Sequence, residues 1–82
     1  QEAAIKLARQ VDLMLVIGGK NSANTTRLAQ LCAKECQTYH IETAAELRDE
    51  WFDKIKKIGI TAGASTPDWI IKEVYQKCKN RT

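Results

Sequence analysis

The feature that most restricts this chain is an apolar run that stops on small residues and gives way to a helical pattern. Residues 11–17 are apolar except for Asp12 and lead into Gly18-Gly19-Lys20-Asn21-Ser22-Ala23-Asn24-Thr25-Thr26-Arg27. The same order recurs where residues 57–61 run into Ala62-Gly63-Ala64-Ser65-Thr66-Pro67-Asp68. A continuous apolar run rich in β-branched residues marks a strand buried on both faces. Small and hydroxyl residues that then open a helix expose free backbone N–H groups and the positive end of a dipole, which suit an anion. Because the arrangement occurs twice, both turns are expected to address one doubly charged group.

The rest of the chain alternates in the same way. Residues 2–10 place Ala4, Ile5 and Ala8 on one helical face, and Asn24 reads as the N-cap of a helix reaching about Cys36, with Leu28, Leu31 and Cys32 inward. Residues 38–42 form a short second strand. Thr43 with Glu46 three residues on is a capping box, opening a short helix that carries Leu47, Trp51, Phe52 and Ile55. Ile58 and Ile60 build a third strand. Ser65 or Thr66 caps the last helix with Pro67 in its first position, and Trp69, Ile70, Val74 and Tyr75 form its buried stripe. Strands joined only through helices imply a parallel sheet, and right-handed crossovers then imply an α/β fold with helices on both faces. A small three-layer domain with a three-stranded parallel sheet in the order 2-1-3 is therefore expected. That order puts the two serine-bearing turns together at the switch point, where such sheets bind ligands.

Composition narrows the function classes. At 82 residues the chain forms one domain. Its formal net charge of +3 comes from mixed charges rather than a basic stripe with aromatics, so no nucleic-acid footprint is present. No apolar stretch approaches the ~20 residues of a membrane span. The three cysteines are an odd number without a secreted spacing pattern, so a reducing compartment, the cytosol, is expected. Opening on Gln1-Glu2-Ala3-Ala4 within a helical pattern, the chain reads as a segment of something longer.

The turns offer neutral donors: Ser22, Asn24, Thr25 and Thr26 in the first, Ser65 and Thr66 in the second. Gly18 and Gly19 are expected to let the backbone leave the strand sharply and approach a ligand. Neither the phosphate-loop spacing nor the dinucleotide fingerprint is present. Cys32 and Cys36 share a helix face, but with His40 as the only histidine they lack the further ligands of a metal site. No nucleophile with its base, and no acid–base pair, assembles around the turns. The chain reads as a binding lobe, and the bland alternative is that the hydroxyls only cap helices.

Residues 18–28 (GGKNSANTTRL), 38–43 (TYHIET) and 59–71 (GITAGASTPDWII) resemble the carboxyl-terminal lobe of the LytB/IspH family, the 4-hydroxy-3-methylbut-2-enyl diphosphate reductases. The resemblance runs over essentially the whole chain. It implies an oxidoreductase with three similar α/β lobes around a central 4Fe-4S iron–sulfur cluster. That enzyme reduces its substrate to isopentenyl and dimethylallyl diphosphates in the last step of non-mevalonate isoprenoid biosynthesis. It also implies that residues 1–82 are one such lobe, holding the substrate diphosphate through Ser22, Asn24, Ser65 and the backbone of Ala23, where the family has a serine. Asn24 would also approach the substrate's hydroxyl end. The cluster cysteines and proton-donating residues are expected outside this segment, so Cys32, Cys36 and Cys78 are not cluster ligands and the segment has no metal or turnover of its own. The implied partners are the diphosphate substrate, the other two lobes and an external electron donor. A self-standing phosphosugar- or nucleotide-binding module is the alternative, and an interaction domain using Trp51 and Trp69 a third.

Overall fold

The computed structural model describes residues 2–81. Seven residues of α1 (Glu2–Ala8) lead into β1 (Leu13–Ile17), followed by α2 (Ala23–Ala33) and β2 (Gln37–Ile41). Two 3₁₀ turns, Ala44–Glu46 and Asp49–Phe52, connect to β3 (Ile58–Ala62), and α3 (Asp68–Arg81) closes the order. The strands are parallel in the order β2-β1-β3, the expected arrangement. Ile17 is level with Ile41 on one side and Ala62 on the other, so all three carboxyl ends finish together.

Every residue of β1 is buried, because the strand is covered on both faces. Its side chains alternate. Leu13, Leu15 and Ile17 join Ile41, Ala44, Leu47, Val74 and Cys78 beneath α3 and the 3₁₀ turns. Met14 and Val16 join Ala4, Ala8 and Cys32 beneath α1 and α2. A fully buried side chain of this kind contributes about 1.5–3 kcal/mol, so this five-residue strand is the mechanical centre of the domain. At the opposite end of the sheet, Asp12 Oδ2 accepts from the backbone N–H groups of Lys56 and Lys57, both at 3.1 Å. These bonds hold the Asp12 carboxyl below its ordinary pKa and anchor the start of β3 beside β1.

Four expectations fail for identifiable reasons. Residues 43–55 do not form one helix: the backbone turns extended at Leu47 (ψ 139°) and Arg48 (ψ 136°). Leu47 thereby reaches the core, and Trp51 stacks on Tyr39 at a centroid distance of 3.8 Å. Burial overrides helix propensity here. The capping box of Thr43 and Glu46 does form, with Glu46 Oε2 accepting from the N–H of Thr43 at 2.9 Å and of Glu42 at 2.7 Å. In α3 the buried positions are Val74 and Cys78, with Ile70 and Ile71 packed beside them, while Trp69 is 64% and Tyr75 53% exposed. The apolar stripe is rotated from the expected one because α3 also covers the 3₁₀ segment. Its end is held by Arg81, which pairs with Asp49 at 2.8 Å and lies over Phe52. In α2 the cap is Ser22, not Asn24, and the helix ends at Ala33. The fourth failure concerns the start of α3: among the described residues neither the Ser65 nor the Thr66 side chain bonds a helix N–H, Thr66 Oγ1 being taken by Ile17, and Pro67 precedes the first helical residue.

Candidate functional site

The ends of β1 and β3 deliver the two turns to one edge of the sheet. Gly63 N–H bonds the Ile17 carbonyl at 2.9 Å, and Thr66 Oγ1 donates to that same oxygen at 3.0 Å. On the other side Gly18 N–H continues the ladder to Ile41 at 2.9 Å. Both turns are thus fastened to the last peptides of the sheet, and Thr66 is consumed in that fastening rather than in a cap.

In the first turn Ser22 Oγ accepts from Thr25 N–H at 3.2 Å and from Thr25 Oγ1 at 3.1 Å. Thr26 N–H is taken by the Ser22 carbonyl at 3.0 Å. The N–H groups of Ala23 and Asn24 have no protein acceptor among the described residues. They are the two orphan donors that a helix start normally leaves. The Asn24 and Ser65 side chains carry no hydrogen bond among the described residues, and both residues are exposed. At the α3 start, Ile70 and Ile71 N–H both bond the Pro67 carbonyl, leaving those of Asp68 and Trp69 open in the same sense.

Ser22, Asn24 and Thr25 line one open cleft of about 560 Å³ with Gly63, Ala64 and Ser65, and α1 contributes Ala3 and Ala4 to it. The three expected side-chain contacts, Ser22, Asn24 and Ser65, therefore share one space. Ala23 does not line it. Ser65 also lines a smaller groove of about 360 Å³ with Gly18, Gly19, Thr43, Thr66 and Pro67, so it stands on the ridge between the two. Among the described residues no charged side chain lines the cleft. Lys20, a candidate cation, is turned away: its Nζ lies 3.5 Å from Glu46 Oε1 and its N–H bonds Glu42 at 2.8 Å. Burial works against the Glu46 charge, but the Glu42 and Thr43 N–H groups and Lys20 outweigh it and lower the carboxyl pKa. An anion in the cleft would be held by neutral donors and helix ends.

Gly18, expected with Gly19 to allow a sharp turn, serves a further purpose that Gly63 shares. Neither has a positive φ. A Cβ on Gly18 would stand 2.7 Å from Thr25 Cγ2, and one on Gly63 would stand 2.5 Å from Thr25 Oγ1. Both glycines make room for one threonine. Thr25, expected as one of four neutral donors of the first turn, is instead buried with its hydroxyl on Ser22; a β-branched residue in the first turn of a helix is a propensity cost that signals such a tertiary role.

The cysteines do not form a metal-binding set. Cys32 is buried under α1 and α2, Cys78 under α3, with the sheet between them. Burial raises the pKa of both thiols, the neighbouring Cys36 adding to the effect at Cys32. An iron–sulfur cluster does not fit these positions. Among the described residues no three His, Cys, Asp or Glu side chains gather as ligands. His40 lies in β2 with Nε2 3.0 Å from the Gly18 carbonyl, a structural contact. No described helix is long and apolar enough to cross a membrane.

The protein-family model described as LytB protein matches residues 1–79. The chain belongs to the LytB family. It is 63% identical over 75 residues to the 4-hydroxy-3-methylbut-2-enyl diphosphate reductase of Pelobacter propionicus, covering 90% of this chain and 27% of that one. It is 60% identical over 79 residues to the enzyme of the same name from Aquifex aeolicus, again covering 27% of it. A solved structure of (E)-4-hydroxy-3-methyl-but-2-enyl diphosphate reductase, described as the terminal enzyme of the non-mevalonate pathway, superimposes with a TM-score of 0.94 at 54% identity. That match covers 98% of this chain and 29% of the other. The Plasmodium falciparum reductase shares the fold, with a TM-score of 0.81 at 24% identity. This LytB chain thus spans little more than a quarter of the length of the relatives it matches.

Proposed function

We propose that this chain is a diphosphate-binding lobe of a LytB reductase, the oxidoreductase that converts 4-hydroxy-3-methylbut-2-enyl diphosphate to isopentenyl and dimethylallyl diphosphate. The observation that carries the reading is the cleft in which Ser22, Asn24 and Ser65 meet with unused donor capacity, on a chain 63% identical to a protein named as that reductase. Ser22 Oγ, the Asn24 amide, Ser65 Oγ and the Ala23 N–H bind the diphosphate oxygens. The N-termini of α2 and α3 add favourable potential without a formal cation. The Asn24 amide also serves the hydroxyl end of the substrate. Family membership favours this over a self-standing phosphosugar or nucleotide module.

The reductive chemistry belongs to an iron–sulfur cluster that this segment does not ligate. An external electron donor and the remaining lobes complete the enzyme, whose compartment is the cytosol. The segment's part is to bind and orient the substrate's charged end. Amide-resolved NMR titration with inorganic pyrophosphate tests this directly. Shifts are expected at residues 22–26 and 63–69, weakened by Ser65→Ala. Shifts spread over the lysine-rich surface of α3, untouched by Ser65→Ala, would sink the proposal.

A further inference from the structure

Thr25 is the polar residue buried in the core of the described residues, 2% exposed, and nothing in the diphosphate reading requires it. Among those residues its hydroxyl has Ser22 Oγ as its only hydrogen-bond partner. A buried hydroxyl places its hydrogen on an available acceptor, because leaving it unmade is costly. Thr25 therefore donates to Ser22. A serine oxygen has two lone pairs and one hydrogen. Thr25 occupies both lone pairs, one through its N–H at 3.2 Å and one through its hydroxyl at 3.1 Å. Ser22 is left with its hydrogen alone to offer to the cleft it lines.

We infer that Thr25 is a positioning residue for this site. By occupying the acceptor capacity of Ser22 it fixes the orientation of that hydroxyl and leaves its hydrogen for the cleft, the donor that a diphosphate oxygen needs. The inference rests on the anion-site reading for its ligand, but not for the state of Ser22. Gly18 and Gly63 approach so closely that a Cβ on either would meet the Thr25 side chain, which confines that side chain between them. Shape and donor can be separated: Thr25→Val keeps the branched outline and removes the hydroxyl, whereas Thr25→Ser keeps the hydroxyl and removes the methyl.

The test is pyrophosphate titration of the 82-residue chain and both variants by NMR, with urea denaturation and the Ser22 side-chain couplings recorded in parallel. Thr25→Val is expected to bind about fivefold more weakly, the equivalent of one ordinary hydrogen bond's net effect. Thr25→Ser is expected to bind within about twofold of the parent while having the lower urea midpoint, since only it loses buried methyl surface. Affinity that follows stability across the two variants would overturn the inference, as would Thr25→Val binding like the parent. If the parent gives no pyrophosphate shifts, the anion-site reading fails, and the couplings still decide the rest. A single Ser22 rotamer in parent and Thr25→Ser, averaged in Thr25→Val, supports the positioning role. Equal averaging in all three refutes it.

Discussion

The two turns at the carboxyl edge of the sheet occupy equivalent places in the fold but are built differently. The first is internally closed: Ser22 caps α2, Thr25 saturates Ser22, and Lys20 is tied to Glu42 and Glu46. The second is held by backbone bonds from Thr66 to Gly63 and from Gly63 to Ile17, has one side-chain tie, from Thr66 to the end of β1, and leaves Ser65 exposed with no hydrogen bond among the described residues. Preorganisation is thus unequally divided. One turn holds a serine whose oxygen is engaged twice, and the other a serine with no side-chain partner among the described residues. The joint between them is steric, a threonine filling the space that two glycines leave.

The hardest way to break this comparison is to fill that space. Gly63→Ala puts a Cβ against Thr25 Oγ1, and overpacking of this kind is expected to cost about 1–3 kcal/mol in urea denaturation. Thr25→Ala removes the clashing oxygen, so the double variant should recover part of the loss. Simple additivity of the two costs would show that the turns are not joined through Thr25.

Ser22→Ala and Ser65→Ala should separate closure from openness. Loss of the Ser22 cap is expected to cost about 1 kcal/mol of stability. Loss of the exposed Ser65 is expected to stay within about 0.5 kcal/mol, while pyrophosphate binding weakens in both. Equal destabilisation would erase the distinction between the turns.

Acid should loosen the first turn and the far end of the sheet before the rest. Asp12 and Glu46 both have folded-state pKa values below their ordinary ones. Their contribution to stability is present in full above the ordinary carboxylate range and is lost as pH falls through the depressed folded values. Asp12→Asn or Glu46→Gln should flatten the fall in denaturation midpoint between neutral pH and about pH 3, and an unchanged acid limb would contradict the assignment. The smallest effect concerns thiol chemistry. A maleimide should label the half-buried Cys36 before Cys32 and Cys78, whose thiols burial keeps protonated. Peptide mapping that finds Cys32 or Cys78 labelled first would mean that one face of the sheet opens readily.

Much of the fold and part of the site were readable from local pattern. The apolar run of β1, the alternation of strand and helix, and right-handed crossovers were enough for the 2-1-3 sheet. Ser22, Asn24 and Ser65 were readable as neighbours because strand order alone brings their turns together. The helix expected over residues 43–55 was not safe, because its fate depended on Tyr39, a residue of β2 that offers Trp51 a stacking partner. The buried face of α3 was misjudged for a similar reason. Periodicity finds an apolar stripe but cannot say that Trp69 and Tyr75 lie outside the layer the helix covers.

The sequence by itself determined what is short in range: the strand runs, the hydroxyl-rich helix starts, the small residues at their joints and the motifs shared with the LytB family. Only the tertiary structure decided how those pieces divide their work. Ser22 rather than Asn24 became the cap, Thr66 became a tether to Ile17, and Gly18 and Gly63 became the walls around Thr25. The physical reason is that a cap or a strand is set by residues a few positions apart. A steric joint between residues 18, 25 and 63 exists only once the parallel register has brought their backbones within touching distance.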